Sequence, residues 1–303
     1  MPKRIRMLTL LLALCLTLAP SGLASTDSSP LLWDDSPGYT PDPSCFTEDG
    51  YHDQSIQVEI RQTRRANSEF YAAYVTIKHP SQIRTGLATV TGSKYHKTTR
   101  IASAYNAVIA INGDYFLDRK AGLEIRQGVT LRDKPSDLYD VLLIDTNGNF
   151  HIVRRDNLDM LDFYLYGGLT IQNAFSFGPA LVIDGQRQTI PEEYSFAPHY
   201  KNPRAAIGQL GELQYVMVVV DGRQSDSEGV SLETLAEFME SIGCTQAYNL
   251  DGGNSATLVL GDAIANNKSV KNERSISDIL YFASSIDPIN WGASVLPVAG
   301  GGD

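Results

Sequence analysis

Cysteine is scarce in this 303-residue chain, with 3 in all. Cys15 falls in the N-terminal apolar run, which leaves Cys45 and Cys244 for the remainder. That number excludes a cysteine-rich zinc site, and the five histidines, His52, His79, His96, His151 and His199, are scattered without metal-ligand spacing. Basic residues are also few, 25 Lys and Arg against 35 Asp and Glu for a formal charge of -10, so the chain is a poor general nucleic-acid binder. After the N-terminal run no apolar stretch is long enough to span a bilayer, so no stable membrane insertion is expected. There is no Gly-x-Ser-x-Gly elbow, no P-loop, no histidine beside a nucleophile in sequence and no loop of regularly spaced acids. What chemistry the chain carries must come from isolated Asp, Asn and Arg residues brought together by folding.

The N-terminus reads as a secretory signal over 1–24. Lys3, Arg4 and Arg6 precede an apolar stretch over 7–19, and Gly22, Leu23 and Ala24 supply a cleavage site. The expectation is export, to the cell envelope or the outside, with cleavage after Ala24. Leu14 stands before Cys15 where a lipoprotein signal has a small residue, which argues against lipid anchoring. Removing this segment takes away three cations and no acid, leaving 22 basic against 35 acidic side chains and a formal charge of -13. In an oxidising compartment Cys45 and Cys244 can pair, or both can stay as buried thiols.

Residues 25–54 carry Pro30, Pro37, Pro41 and Pro43 among many Ser and Asp, and read as a linker or draped arm without regular elements. From Ile56 the apolar alternation predicts strands over 56–60, 71–77 and 86–91. Thr98 or Thr99 begins a short helix through Tyr105 that feeds a buried strand over 107–111. Ser231 begins a second helix, with Leu232, Leu235, Ala236, Met239 and Ile242 at helical spacing and Gly243 as its stop, leading to a strand that ends at Leu250. Further strands are expected over 141–145, 181–184 and 213–220. Both helix–strand units finish in Asn-x-Asp, at Asn112 and Asp114 and again at Asn249 and Asp251, a hint of internal pseudo-symmetry. The class expected is α+β: one domain over 55–285 with a mixed, mostly antiparallel β-sheet core and a few helices, followed by a tail over 286–303.

The segment Tyr248, Asn249, Leu250, Asp251, Gly252, Gly253, Asn254, Ser255 sets a carboxylate and two glycines between apolar runs. Glycines after an acid let the backbone take positive φ and turn its amides toward a ligand, although Asp-Gly also makes plain hairpin turns. Three other stretches share this character: Asp221, Gly222, Arg223 after a valine run; Asn202, Pro203, Arg204, Ala205, Ala206; and Asn112, Gly113, Asp114, Tyr115, Phe116. Together with the stretch from Phe177 to Gly185 and with Arg274, Ile276, Ser277 and Asp278, their order and spacing over 107–282 resemble the phosphodiester glycosidase family. These are relatives of the lysosomal "uncovering enzyme" that removes N-acetylglucosamine from a phosphodiester.

The resemblance implies a secreted hydrolase that cleaves the glycosidic bond of a sugar-1-phosphate diester, in a cell-wall or capsular glycopolymer. That reaction needs a carboxylate near C1 and cations around the phosphate. Asp251, Asp221 and Asp114 are the candidate carboxylates. Arg204, Arg223 and Arg274 are the candidate cations, since the planar guanidinium meets two phosphate oxygens at once. Asn112, Tyr115, Asn249, Gly252, Gly253, Asn254 and Ser255 are the other candidate substrate contacts. Each has a plainer reading: an Asp beside glycine forms a turn, and Tyr115 fills core. No organic cofactor is expected, and Ca²⁺ or Mg²⁺ stays open because hard cations take oxygen ligands. Ala205 and Ala206 depart from relatives that have a hydroxyl residue there, and Asn254 from relatives with a small one. The alternative is a noncatalytic glycan-binding or exopolysaccharide-assembly protein on the same fold. Intact-mass analysis of exported protein should give a mature N-terminus near Ser25; a soluble cytoplasmic pool that keeps Met1 contradicts the export expectation.

Overall fold

The computed structural model describes residues 30–267 and 273–289. The signal segment, its cleavage site and residues 290–303 of the expected tail lie outside that range. Strands dominate, in three main sheets. The largest has eight strands in the order Gly50–His52, Ile56–Arg65, Ser68–Ile77, Gln214–Val220, Arg204–Gly211, Gln246–Leu250, Ala180–Ile183 and Gln186–Arg187. A five-stranded sheet runs Phe150–Val153, Val141–Asp145, Ile171–Ser176, Gly122–Arg126, Val129–Lys134, and another runs Ala263–Ile264, Leu258–Leu260, Ala107–Asn112, Asp278–Ala283, Ile83–Leu87. A two-stranded ribbon pairs Ser275–Ile276 with His96–Lys97.

The apolar runs in the sequence become strands covered on both faces. In Gln214–Val220, Met217 and Val219 point into a central core while Val216, Val218 and Val220 face the helix Leu232–Ser241. The same period of two operates in Asp278–Ala283, where Leu280 and Phe282 face the centre and Ile279 and Tyr281 face the helix Thr98–Ala104. It operates again in Val141–Asp145, where Leu142 and Ile144 face the centre and Val141 and Leu143 pack with Leu161 of the helix Met160–Tyr166. Each sheet thus turns one face to the common core and carries one helix on the other, a layered solution to burying every strand position. Each fully buried Val, Leu or Ile contributes about 1.5–3 kcal/mol.

Several expectations need correction. Every pairing between described strands is antiparallel, so the core is not mixed. The strand expected at 86–91 is Ile83–Leu87, and Ala88–Thr91 is a 3₁₀ turn closed by Gly92 at φ 82°. The 25–54 segment, where it is described, does hold regular elements. A 3₁₀ turn spans Pro43–Cys45, and Gly50–His52 pairs with the largest sheet. The buried Arg84 binds this arm by donating to the carbonyls of Leu32 (2.8 Å), Asp34 (2.8 Å) and Ser36 (2.9 Å). Cys45 and Cys244 are not bridged. Cys45 packs at the edge of the central core and Cys244 sits on the far side of the large sheet, where burial pushes its thiol up to about 12.

Where the two smaller sheets meet, a charged cluster is buried. Arg126 donates to Asp114 (2.9 Å) and to Asp278 (2.8 Å), and it also caps the carbonyls of Ile125 and Ala174. Arg119 reaches Asp114 at 3.0 Å and Glu124 at 3.2 Å. Arg126 therefore ties one five-stranded sheet to a strand of the other. Arg126→Leu leaves Asp114 and Asp278 buried without their main counterion, and should lower the unfolding free energy by about 3–5 kcal/mol in equilibrium denaturation. A loss under about 1 kcal/mol, the range of exposed pairs, would show that the cluster does not hold the sheets together.

Candidate active site

The two Asn-x-Asp turns face each other. The Asp251 amide donates to the Gly113 carbonyl (3.3 Å), and Asn112 Nδ2 donates back to the Asp251 carbonyl (2.7 Å). Asn112 Oδ1 accepts from the Thr257 amide (3.2 Å), so this one buried side chain fixes both flanks of the Asp251 loop. The two glycines then serve different ends. A Cβ on Gly252 would lie 2.6 Å from the Pro203 carbonyl oxygen, whereas Gly253 takes φ 60° and donates its amide to that same oxygen at 2.8 Å. The Asp251 and Gly253 amides are thus taken by the protein itself and are not turned toward a ligand as the sequence suggested.

The loop opens onto a cavity of about 360 Å³ that collects three arginines. Arg204, only 4% exposed, donates Nε to Val230 O (3.0 Å) and Nη2 to the carbonyls of Ala197 (2.9 Å), Pro198 (3.2 Å) and Tyr200 (2.8 Å). Among the described residues no carboxylate lies within ion-pair distance of it. Burial lowers its pKa to about 10; Glu233 opposes that fall electrostatically and nearby Arg223 adds to it, yet the group keeps its charge at neutral pH. Arg223, at φ 60°, is oriented by amide oxygens, with Nη2 to Asn202 Oδ1 at 2.8 Å and Nη1 to Asn254 Oδ1 at 3.4 Å. Arg274 lies over the Tyr115 ring, 4.7 Å from its centroid. Phe177 and Phe196 stack at 4.5 Å and 9° to form an apolar wall.

Among the described residues Asp251 is the one carboxylate in the lining. Burial pushes it above the usual carboxylate range; the Ser255 hydroxyl and the Arg274 cation pull it back, and Asp114 behind it pushes further. Although Ser255 is close enough to act on this acid, neither Asp251 Oδ2 nor Ser255 Oγ has a hydrogen-bond partner of normal geometry among the described residues.

Of the residues the sequence singled out, Arg204, Arg223, Arg274, Asn249, Asp251, Gly252, Gly253 and Asn254 line the cavity. Asp221 does not. It is buried, accepting from Asn266 Nδ2 (2.7 Å) and the Asn267 amide (3.0 Å), and so fastens that loop. Asp114 is fully buried in the arginine cluster; burial opposes its charge, but Arg126 and Arg119 outweigh it and hold the carboxyl below the ordinary range. Asn112 and Ser255 stand behind the loop, and Tyr115 supports Arg274 instead of lining the cavity. Ala205 and Ala206 are buried in the two cores flanking their strand, so that departure leaves the cavity untouched. Phe196 and Ala197 were missed. They sit at φ 67° and 52° in an irregular stretch with no periodic signal. Asn202 belonged to a noted motif without being given a role, and Arg119 and Arg126 had no local mark at all. Among the described residues no group of three His, Cys, Asp or Glu side chains is placed to hold a metal ion, and no helix is long and apolar enough to cross a membrane. One acid among three guanidiniums is a donor set for an anion and not for Ca²⁺ or Mg²⁺.

Comparison with known proteins identifies the family. Residues 105–283 match the profile of the phosphodiester glycosidase family. An SPbeta prophage-derived uncharacterized protein of Bacillus subtilis is 26% identical over 256 residues, which is 78% of this chain and 39% of that protein. The N-acetylglucosamine-1-phosphodiester alpha-N-acetylglucosaminidase of Bos taurus is 42% identical over 62 residues, 20% of this chain and 12% of its own length. The chain thus spans about two fifths of the bacterial relative and a smaller part of the bovine one. The zebrafish catalytic domain bearing the same enzyme name superposes with a TM-score of 0.59 at 19% identity, covering 86% of this chain and 99% of that domain. That likeness is one of fold.

The contact between the Asp251 loop and Pro203 gives a test. Gly252→Ala sets a Cβ against a backbone carbonyl at 2.6 Å, and overpacking of this kind should cost about 1–3 kcal/mol in equilibrium unfolding. Unchanged stability would mean that the loop does not need the close approach.

Proposed function

The chain belongs to the phosphodiester glycosidase family, and from that premise we propose that it is an exported hydrolase that cleaves the bond between an anomeric carbon and a phosphate oxygen in a phosphodiester-linked sugar. A cell-wall or capsular glycopolymer would be its substrate. The observation that carries this reading is the lining of one cavity by Asp251 together with Arg204, Arg223 and Arg274, none of which is within ion-pair distance of an acid among the described residues. In a chain of net charge -10, that grouping selects an anion.

Each participant then has a role. The guanidiniums bind the phosphate oxygens and take up the charge that grows on the leaving oxygen as the C1–O bond breaks. The phosphate departs as a monoester dianion whose second pKa is about 6, so little proton donation is needed. Water attacks C1, and its proton passes to ionised Asp251, whose negative charge also answers the positive charge forming on the sugar. The products are the free sugar and the phosphate monoester, with one proton returned to solvent. The aromatic wall of Phe177 and Phe196 supplies an apolar surface for a sugar face.

The test is release of free sugar from a synthetic N-acetylglucosamine-1-phosphodiester. Arg204→Ala should cut kcat about 100- to 1000-fold, as for one preorganised donor removed, and Arg204→Lys should recover only part of that. Asp251→Asn should abolish turnover with stability retained. Because the ionised acid is required, kcat/KM should fall as pH drops through the raised pKa of Asp251, above the ordinary Asp value of about 3.9. Binding without release by the wild-type protein would favour the noncatalytic glycan-binding reading, and full turnover in Asp251→Asn would remove that residue from the reaction.

A further inference from the structure

Asn249 holds a buried acceptor that the protein leaves unused. The residue lines the cavity at 3% exposure, and its Nδ2 donates to the Gly178 carbonyl at 2.7 Å. That contact fixes the amide, since the flipped form would set two oxygens against each other. Oδ1 is left buried, with no partner among the described residues. Asp251 Oδ2, two residues along the chain, is also buried without a hydrogen-bond partner of normal geometry among the described residues, with the Ser255 hydroxyl close to the carboxylate.

With the Oδ1 atoms of Asn202 and Asn254 taken by Arg223, the cavity's charged groups and its buried acceptors differ in type. The three arginines offer only donors, while Asn249 Oδ1 and Asp251 Oδ2 offer only acceptors. An ionised phosphodiester carries acceptors alone, so it satisfies the arginines and gains nothing from Asn249. A sugar carries O–H and N–H donors. Leaving a buried acceptor empty is unfavourable, and a site built around one rejects ligands that lack the matching donor. We infer that Asn249 is a specificity-determining residue whose Oδ1 accepts a hydrogen bond from one hydroxyl or acetamido N–H of the bound sugar. This rests on the reading of the cavity as a site for phosphodiester-linked sugars, and it adds which protein atom reads the sugar.

The experiment uses non-cleavable analogues with CH₂ in place of the bridging oxygen, in which each sugar hydroxyl or acetamido group is replaced in turn by hydrogen. Calorimetric binding to the mature wild-type protein should show one analogue weakened at least about 100-fold against the parent. Asn249→Ala should bind that analogue and the parent nearly alike, and every other analogue should keep its ranking. Three results overturn the assignment: a wild-type protein indifferent to every donor replacement, an Asn249→Ala protein that weakens all analogues equally and keeps the full discrimination, and a parent analogue that does not bind at all. If loss of the Gly178 contact prevents folding of the Ala variant, the wild-type series still decides, and Asn249→Ser, whose hydroxyl can donate to Gly178 without setting an oxygen lone pair against it, should likewise lose the discrimination. The hydrolase reading is separable: discrimination in binding without release of sugar from the cleavable diester sinks that reading and leaves this one, while release without discrimination does the reverse.

Discussion

Arg126 carries its charge at the point where both five-stranded sheets and the loop bearing Asp114 converge. A guanidinium there is tolerable only because Asp114 and Asp278 meet it from two elements distant in sequence and the Ile125 and Ala174 carbonyls take its remaining donors. The pairing adds a charged contact between sheets that also meet at a buried hydrogen bond, from the Thr85 hydroxyl to Asn173 Oδ1 at 2.7 Å. It also holds the loop after Ala107–Asn112, and that loop clasps the Asp251 turn through Asn112 and Gly113. The position of the cavity carboxylate thus descends from a buried ion cluster one layer behind it.

The buried arginines around the cavity are partnered in contrasting ways. Arg119 and Arg126 are neutralised by Asp114, Glu124 and Asp278, a surplus of acid that pushes Glu124 well above the carboxylate range, burial first and Asp114 next. Arg204 receives only carbonyl oxygens, which orient a guanidinium without cancelling its charge. A buried cation kept in that state maintains a positive field in the cavity, and Arg223 and Arg274 add to it under the guidance of amide oxygens and an aromatic face. The first pair serves the fold; in the second, an anionic ligand would supply the close counter-charge that carbonyl oxygens do not.

Much of the fold was legible in the sequence because local chemistry decides it. Ser231 caps the helix Leu232–Ser241 through the Thr234 amide, and Gly243 ends that stretch at φ 88°. The strands at 107–112, 141–145 and 214–220 announced themselves as apolar runs, although burial on both faces erased the alternation that would have shown which side faces the centre. The ends of the arm were illegible because Arg84, which binds it, lies far along the chain. Site residues divided on the same principle. Asp114, Asp221 and Asp251 look alike locally, each at the end of an apolar run and beside glycine. Which of them meets arginines, a loop amide or an open cavity depends on residues more than ten positions away, such as Arg126 for Asp114 and Asn266 for Asp221. The glycines around them report the need for close approach but not what approaches.

The lone acid in the lining bears on mechanism. Ordinary glycoside hydrolysis uses two carboxyl groups because an alkoxide leaving group needs a proton. In the proposed reaction guanidiniums take the place of a second acid, a substitution that works only where the leaving group is already a stable anion. Ethers and simple glycosides would leave poorly from such a site, and phosphate would leave readily. Asp114, which acts electrostatically on Asp251, cannot take the second role, because its oxygens are committed to Arg126, Arg119 and the Ser176 amide and it is shut away from solvent. The chemistry the cavity favours is therefore set as much by the acid it lacks as by the one it holds.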